Sequence, residues 1–434
     1  MARSVARASE LCGAAANPSP VAEVAVPPDC LAARSFEMNT GISHTYGSGR
    51  RLRGKARPGS SRWFRRYRWL VIGGWLLMVL AVVWVVFFRS ERAPVAAALP
   101  PASDRPEVTT RSAAAMPPVR LPADDAPHAM LTEWWYYSGH LQTASGERYS
   151  FHLATFLRQG TLTHTVFHGS LLDHQSGKLY SEQSRTAGNP SDGRKDGFDF
   201  SHGPWQMRGE GSRHAAKMAG KGFALDLQIT DTLPPVLHQA PGTPLAGLLD
   251  FGAAGLSYYT SRPRMAAEGS LTIDGKSVQV TGDVWFDHQW GDFEAAQLRW
   301  NWFALQLTDG ADIMLFELFD RQGAPVLRMG THAKAGVVTA LGAQDFTTSS
   351  HGTWKSAASG VVYPVDWTIS LPARGVRLKI EPVLRASEMD ARTTTLNVYW
   401  EGAVKASGSH TGLGFMELSG YSPPAEQTRN RNRP

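Results

Sequence analysis

From His128 onward the chain runs in short alternations of apolar and polar residues, cut by the turn pairs Ser145-Gly146, Asp274-Gly275, Asp309-Gly310 and Gln322-Gly323. Period-two alternation between such pairs is the pattern of strands joined by hairpins. Residues 270–281 show it well, since Leu271 and Ile273 face Val278 and Val280 across Asp274-Gly275. No long stretch after residue 93 keeps a 3.6-residue period, so the pattern predicts an all-β fold. A weak repeat sets the number of domains. Trp135-Tyr136, Leu141, a Gly146 turn and Arg158-Gln159-Gly160 are answered by Trp302-Phe303, Leu307, a Gly310 turn and Arg321-Gln322-Gly323. His202-Gly203-Pro204-Trp205 is answered by His351-Gly352-Thr353-Trp354. Two tandem β-domains joined near Trp290 to Trp300 are expected, each closed into a barrel or half-barrel so that few edges stay open.

One run breaks this pattern. Trp69 to Phe88 is uncharged and apolar over the length that crosses a bilayer as a helix. Arg62, Arg65, Arg66 and Arg68 precede it, and only Arg89 and Arg92 closely follow. The arginine bias therefore predicts a single-pass inner-membrane anchor with the N-terminus in the cytoplasm and the rest in the periplasm. The expected organisation is a disordered basic segment over 1–68, the span over 69–88 and a Pro/Ala-rich linker over 89–126. A first β-domain over 127–290, a second over 291–425 and a disordered tail over 426–434 follow. The formal net charge of +6 changes meaning in this light. Residues 1–92 hold fourteen Arg and Lys against five acids, which leaves −3 for the remainder and no nucleic-acid footprint on the globular part. Both cysteines, Cys12 and Cys30, precede the span, so the exported part has no thiol or disulfide chemistry.

Candidate chemistry concentrates in Gly282 to Phe303, where seven Trp and Phe stand among four carboxylates. In a strand Trp285, Asp287 and Gln289 share one face, while Phe286, His288 and Trp290 share the other. Glu133 beside Trp134 and Trp135, and Glu401 after Tyr399-Trp400, repeat the theme of an acid among aromatics. An apolar setting desolvates a carboxylate and raises its pKa, which makes a proton donor at neutral pH. Indole and phenol faces beside it stabilise a developing carbocation. Hydration of an isolated alkene needs that combination. The plainer alternative is that these rings fill cores while the acids bond backbone amides. G-x-S-x-G, H-E-x-x-H, P-loop and G-x-G-x-x-G motifs are all absent from the exported part. His164 and His168 have metal-pair spacing only on a helix, so no metal is expected.

EWWYYSGHL, YYTSRP, GDVWFDHQW, WNWFALQLTDG, YPVDW, YWEGAV and GFMELSGY, in that order, resemble the AttH-type lipocalin-like proteins. That family also takes in the carotenoid 1,2-hydratases (hydroxyneurosporene synthases), and some of its members are described as secreted hydrolases. The resemblance spans about Pro127 to Tyr421 and implies two lipocalin-like β-domains packed together. The hydratases of this type add water to a terminal carotenoid double bond without a cofactor, with an aspartate as the acid, a role that falls on Asp287. Trp285 stands where they tend to have Tyr, Tyr258-Tyr259-Thr260 replaces their upstream His-x-Trp, and Gln289 takes a position that is often Glu.

The first functional expectation is an anchored protein that binds an apolar small molecule, a lipid or isoprenoid, with Glu133, Trp134, Trp135, Tyr258, Tyr259, Trp285 and Trp302 lining the site. The second is a cofactor-independent hydratase with Asp287 as general acid. A hydrolase comes third, because no nucleophile is evident. The sequence names no protein partner.

Overall fold

The computed structural model describes residues 113–422 apart from 160, 161 and 192. The expected Trp69 to Phe88 span and the 1–68 and 426–434 segments lie outside the described residues. Among the described residues no helix is long and apolar enough to cross a membrane.

The fold is all-β, a nearly closed barrel and a half-barrel. The first sheet holds β1 (Thr132–Gln142), β2 (Arg148–Arg158), β3 (His164–Asp173), β4 (Lys178–Ala187), β5 (Gly197–His202), β6 (Trp205–Glu210), β7 (Arg213–Gly220), β8 (Phe223–Asp231), β9 (Val236–Leu237), β10 (Leu248–Asp250), β11 (Leu256–Ile273) and β12 (Lys276–Gly291). The second holds β13 (Leu298–Leu307), β14 (Ala311–Asp320), β15 (Pro325–Lys334), β16 (Val337–Leu341), β17 (Thr347–Lys355), β18 (Val362–Leu371), β19 (Val376–Pro382), β20 (Glu388–Ala391), β21 (Asn397–Gly408) and β22 (Gly412–Ser419). The predicted hairpin at residues 274 and 275 forms between β11 and β12, with both residues at positive φ (45° and 84°) as a primed two-residue turn requires.

The repeat is real in topology. The first sheet runs β4-β3-β2-β1-β12-β11-β8-β7-β6-β5 and the second β16-β15-β14-β13-β22-β21-β19-β18-β17. Each opens with a four-strand meander whose first strand pairs with the last strand of its own half. The sequence-based alignment of that repeat is one residue out. Tyr136 and Trp302 both face the space between the sheets, Tyr137 and Phe303 both face inward, and Leu141 matches Leu307. A one-residue slip exchanges the two faces of a strand, which is why Trp135 cannot correspond to Trp302. The His-Gly-x-Trp match does not carry over either. It is a turn between β5 and β6 in the first half and lies within β17 in the second.

Burial follows position in the assembly. Outlying strands such as β8 and β19 alternate buried and exposed residues, since only their inner face is covered. β1, β13, β14 and the second half of β12 (284–291) are buried on nearly every residue. One face fills a sheet interior and the other packs on the opposite sheet, with β1 against β22, β11 against β13 and β2 against β21. The three largest apolar clusters among the described residues follow from this, one inside each sheet and a third, containing Tyr136, Tyr259, Trp285, Trp302 and Phe316, between them.

Residues 113–126, expected to belong to a spacer, are packed against the first barrel. Met116 and Val119 lie on Tyr258 and Trp290, and Tyr258 donates to the Pro117 carbonyl at 2.6 Å. Buried Asp125 accepts from Arg262 at 2.9 Å, and Asp231 accepts from the same guanidinium at 3.1 Å. Removing one partner strands a charge out of water. Asp125→Ala is expected to lower unfolding free energy by about 3 kcal/mol in urea titrations, despite the remaining Asp231 contact.

Candidate active site

β12 presents Trp285 and Asp287 toward the second sheet and turns Phe286 into the first barrel, as strand alternation requires. Asp287 is 4% exposed and bonds only to neutral donors. Its Oδ1 accepts from the Ser261 hydroxyl and from Trp285 Nε1 at 2.6 Å. Its Oδ2 accepts from the Tyr259 hydroxyl at 2.6 Å, and that hydroxyl accepts in turn from Trp302 Nε1 at 2.8 Å. Burial pushes the Asp287 pKa up to about 7, against the lowering effect of these three donors. Oδ1 has two donors and Oδ2 one, so the free lone pair that can hold a proton is on Oδ2.

Behind Ser261 stands His238, whose Nε2 lies 2.6 Å from the serine oxygen and whose Nδ1 lies 2.8 Å from Thr331 Oγ1. Burial pulls its pKa down to about 3, so the ring is neutral. While Ser261 donates to Asp287, His238 must donate from Nε2 and accept from Thr331 at Nδ1.

Two further acids face this group from the second sheet. Glu401 on β21 and Glu417 on β22 stand directly opposite one another in the ladder. Glu401 Oε1 accepts from the Tyr136 hydroxyl at 2.8 Å. Burial first, then the neighbouring Glu417, raises the Glu401 pKa well above the carboxylate range, and burial raises that of Glu417. The charge of Asp287 contributes to both shifts, and strand alternation sets the three acids on the faces of Trp285, Ala403 and Phe415, toward the seam between the sheets. Glu401 is buried, whereas Glu417 keeps part of its surface accessible. Trp134, Phe156, Trp300, Leu327 and Val383, all partly exposed, border the same cluster.

Of the residues expected at the site, Asp287, Trp285, Tyr259 and Trp302 come together, and Trp134 lies at the margin. Glu133, Trp135 and Tyr258 do not join them. Trp135 fills the first barrel, since residues 133 and 135 point to the face of β1 opposite Trp134 and Tyr136. Tyr258 packs on Trp290 beneath residues 116–119. Ser261, His238 and Glu417 escaped sequence reasoning. Extending the repeat to its last strands would have found Glu417, because Asp287 opposite Tyr136 corresponds to Glu417 opposite Trp302.

Glu133 instead bonds His128 Nδ1 at 2.7 Å and His288 Nε2 at 2.8 Å through one oxygen. The three side chains converge as metal ligands could. The spacing is that of hydrogen bonds, however, and buried His288 Nδ1 has no partner among the described residues, whereas a ligating histidine normally donates from its second nitrogen. A hydrogen-bonded tie between β1, β12 and the segment before them accounts for these contacts. His168 is likewise a buried tie between the halves, bonded to Tyr399 and Thr394 at 2.8 Å each. Two open pockets of about 570 and 760 Å³, one beside Glu182, Glu388 and Asp390 and the other beside Gln142, Glu268 and Gln279, are not lined by Asp287.

A family model for AttH-like proteins matches residues 112–421. The chain belongs to the AttH-like family. A curated relative, kievitone hydratase of Fusarium solani subsp. phaseoli, is 23% identical over 323 residues, 69% of this chain and 86% of the relative. Among solved structures, a protein of Nitrosomonas europaea described as AttH is 26% identical with a TM-score of 0.62, covering 70% of this chain and 97% of its own. Kievitone hydratase from Nectria haematococca is 22% identical with a TM-score of 0.58, covering 72% of this chain and 96% of its own.

Proposed function

We propose that this AttH-like protein is a hydratase-type lyase that takes an apolar alkene between its two sheets and adds water to it, with Asp287 as general acid. The observation that carries this reading is a buried carboxyl held by three neutral donors, poised near neutrality by burial and walled by Tyr136, Tyr259, Trp285 and Trp302. Such an acid gives its proton to a weakly basic carbon more readily than a solvated one, and the surrounding rings stabilise the cation that forms. The likeness to a hydratase supports the same reaction class. In this reading the expected Trp69 to Phe88 anchor ties the protein to the bilayer in which an apolar substrate dissolves.

The test is incubation of the purified protein with kievitone and with a panel of branched isoprenoid alkenes in ¹⁸O-labelled water, followed by mass spectrometry. Products that gain one labelled water, at a rate that depends on Asp287, are expected. Alkenes that bind unchanged would leave a carrier of apolar molecules, the other reading of the same cleft.

A further inference from the structure

Hydration has a second half, in which the water that bonds to carbon must lose a proton. We infer that Glu417 takes that proton, standing across the cleft from Asp287 as the base to its acid. This rests on the hydratase reading.

Three observations lead there. The first is register. Asp287 lies opposite Tyr136 in the first sheet and Glu417 opposite Trp302 in the second, so the two acids occupy matching places in the two halves. Tyr136 and Trp302 are packed edge to face, with ring centroids 5.5 Å apart. The second is division of labour within the neighbouring pair. Glu401 and Glu417 are too close for both to ionise freely in a buried setting. Glu401 is enclosed, which suits it to keep the shared proton even against the Tyr136 donor, while Glu417 retains accessible surface and Trp300 as a donor within reach.

The third concerns the water and is independent of the acids. Ser138 Oγ and His152 Nε2, on residues only 1% and 2% exposed, have no hydrogen-bond partner among the described residues. Ser138 stands between Trp285 and His152 in the ladder, on the same face as Tyr136. Ser170 fixes the imidazole through Nδ1 at 2.7 Å. Ser138 Oγ is near enough to the Tyr136 hydroxyl to lower its pKa without the geometry of a hydrogen bond. A water bonded to both atoms would stand beside the Tyr136–Glu401 contact, and Glu401 lies directly opposite Glu417 in the ladder. No lysine or arginine is among the groups that shift Asp287, Glu401 or Glu417. Arg264, which also bridges the halves, is held by Asp312 at 2.8 Å.

The step balances without a further reagent. The proton on Asp287 Oδ2 bonds to one alkene carbon through the π pair. The water oxygen bonds to the other carbon, its proton passes to Glu417, and exchange with solvent resets both acids. Between these events a positive charge stands between two carboxylates.

A protonated amine imitates that charge. Quenching of tryptophan fluorescence by N,N-dimethylgeranylamine, with geranyl methyl ether as the uncharged control, should show the amine binding about tenfold tighter at pH 7.5. Glu417→Gln should remove most of that preference and leave ether binding unchanged. Glu417→Asp should restore part of it, and ether binding that stays unchanged in both variants separates charge from folding. An amine preference that survives Glu417→Gln overturns the inference while leaving the cleft reading intact. Binding of neither probe sinks the cleft reading and this inference with it.

Discussion

Asp287→Asn should lower the hydration rate by about 10²–10⁴-fold, the usual contribution of a positioned general acid, without loss of fold. The substitution is nearly isosteric, and the amide oxygen can still accept from Ser261 and Trp285. Its NH₂ would face the Tyr259 hydroxyl, which already accepts from Trp302 and can turn its proton away to accept again. A purely structural acid would behave in the opposite way, because losing it would unsettle the three donors. The decisive comparison pairs initial rates on an alkene hydrated by the wild type with thermal unfolding at pH 8. Activity lost with stability kept or increased is the expected result. Activity kept would remove Asp287 from the chemistry.

The pH dependence of stability should pass through a maximum near pH 6.5. Buried His152, His168, His214 and His238 are pushed down to about 3 and His140 to about 4, all by burial. An unfolded chain binds protons at these five sites below about pH 6.5 while the folded one does not, so stability rises with pH up to that point. Asp287 is raised to about 7, and Glu401 and Glu417 are raised as well. Above pH 6.5 the folded chain still holds protons there that the unfolded chain has released, so stability falls as pH climbs through their folded values. Five sites against three decide the acid side, and the carboxyls alone decide the alkaline side. Melting temperatures lower by about 5 °C or more at pH 5 than at pH 6.5 are expected, with an alkaline decline that Asp287→Asn makes shallower. A flat profile from pH 5 to 8 would mean that these groups are solvated.

How much of this could be read from the sequence depended on which faces were covered. Turn pairs and alternation gave the all-β class, because hairpins such as that at 274 and 275 are local. The split of Trp285 and Asp287 from Phe286 followed from period two. The seam between the sheets was hidden, since strands buried on both faces, such as β1, read as continuous apolar text in which Glu133 and Glu401 look alike. Their fates differ by one step of alternation. Glu133 points away from the seam to His128 and His288, whereas Glu401 points into it. Ser261 and His238 carry no local signal at all, because what defines them is a partner on another strand.

Matching acids from two matching halves also bear on the divisibility of the site. The contact between the sheets has the form of an isologous dimer interface in which one position meets its own counterpart, here within a single chain that carries aspartate on one side and glutamate on the other. Two identical acids in identical settings could not tell donor from acceptor. Here the settings differ, Asp287 being held by Ser261, Tyr259 and Trp285 and Glu417 standing opposite a second acid, Glu401. A polypeptide cut between β12 and β13 should therefore recover its chemistry only when both fragments are present, since each alone carries one carboxyl and half of a wall.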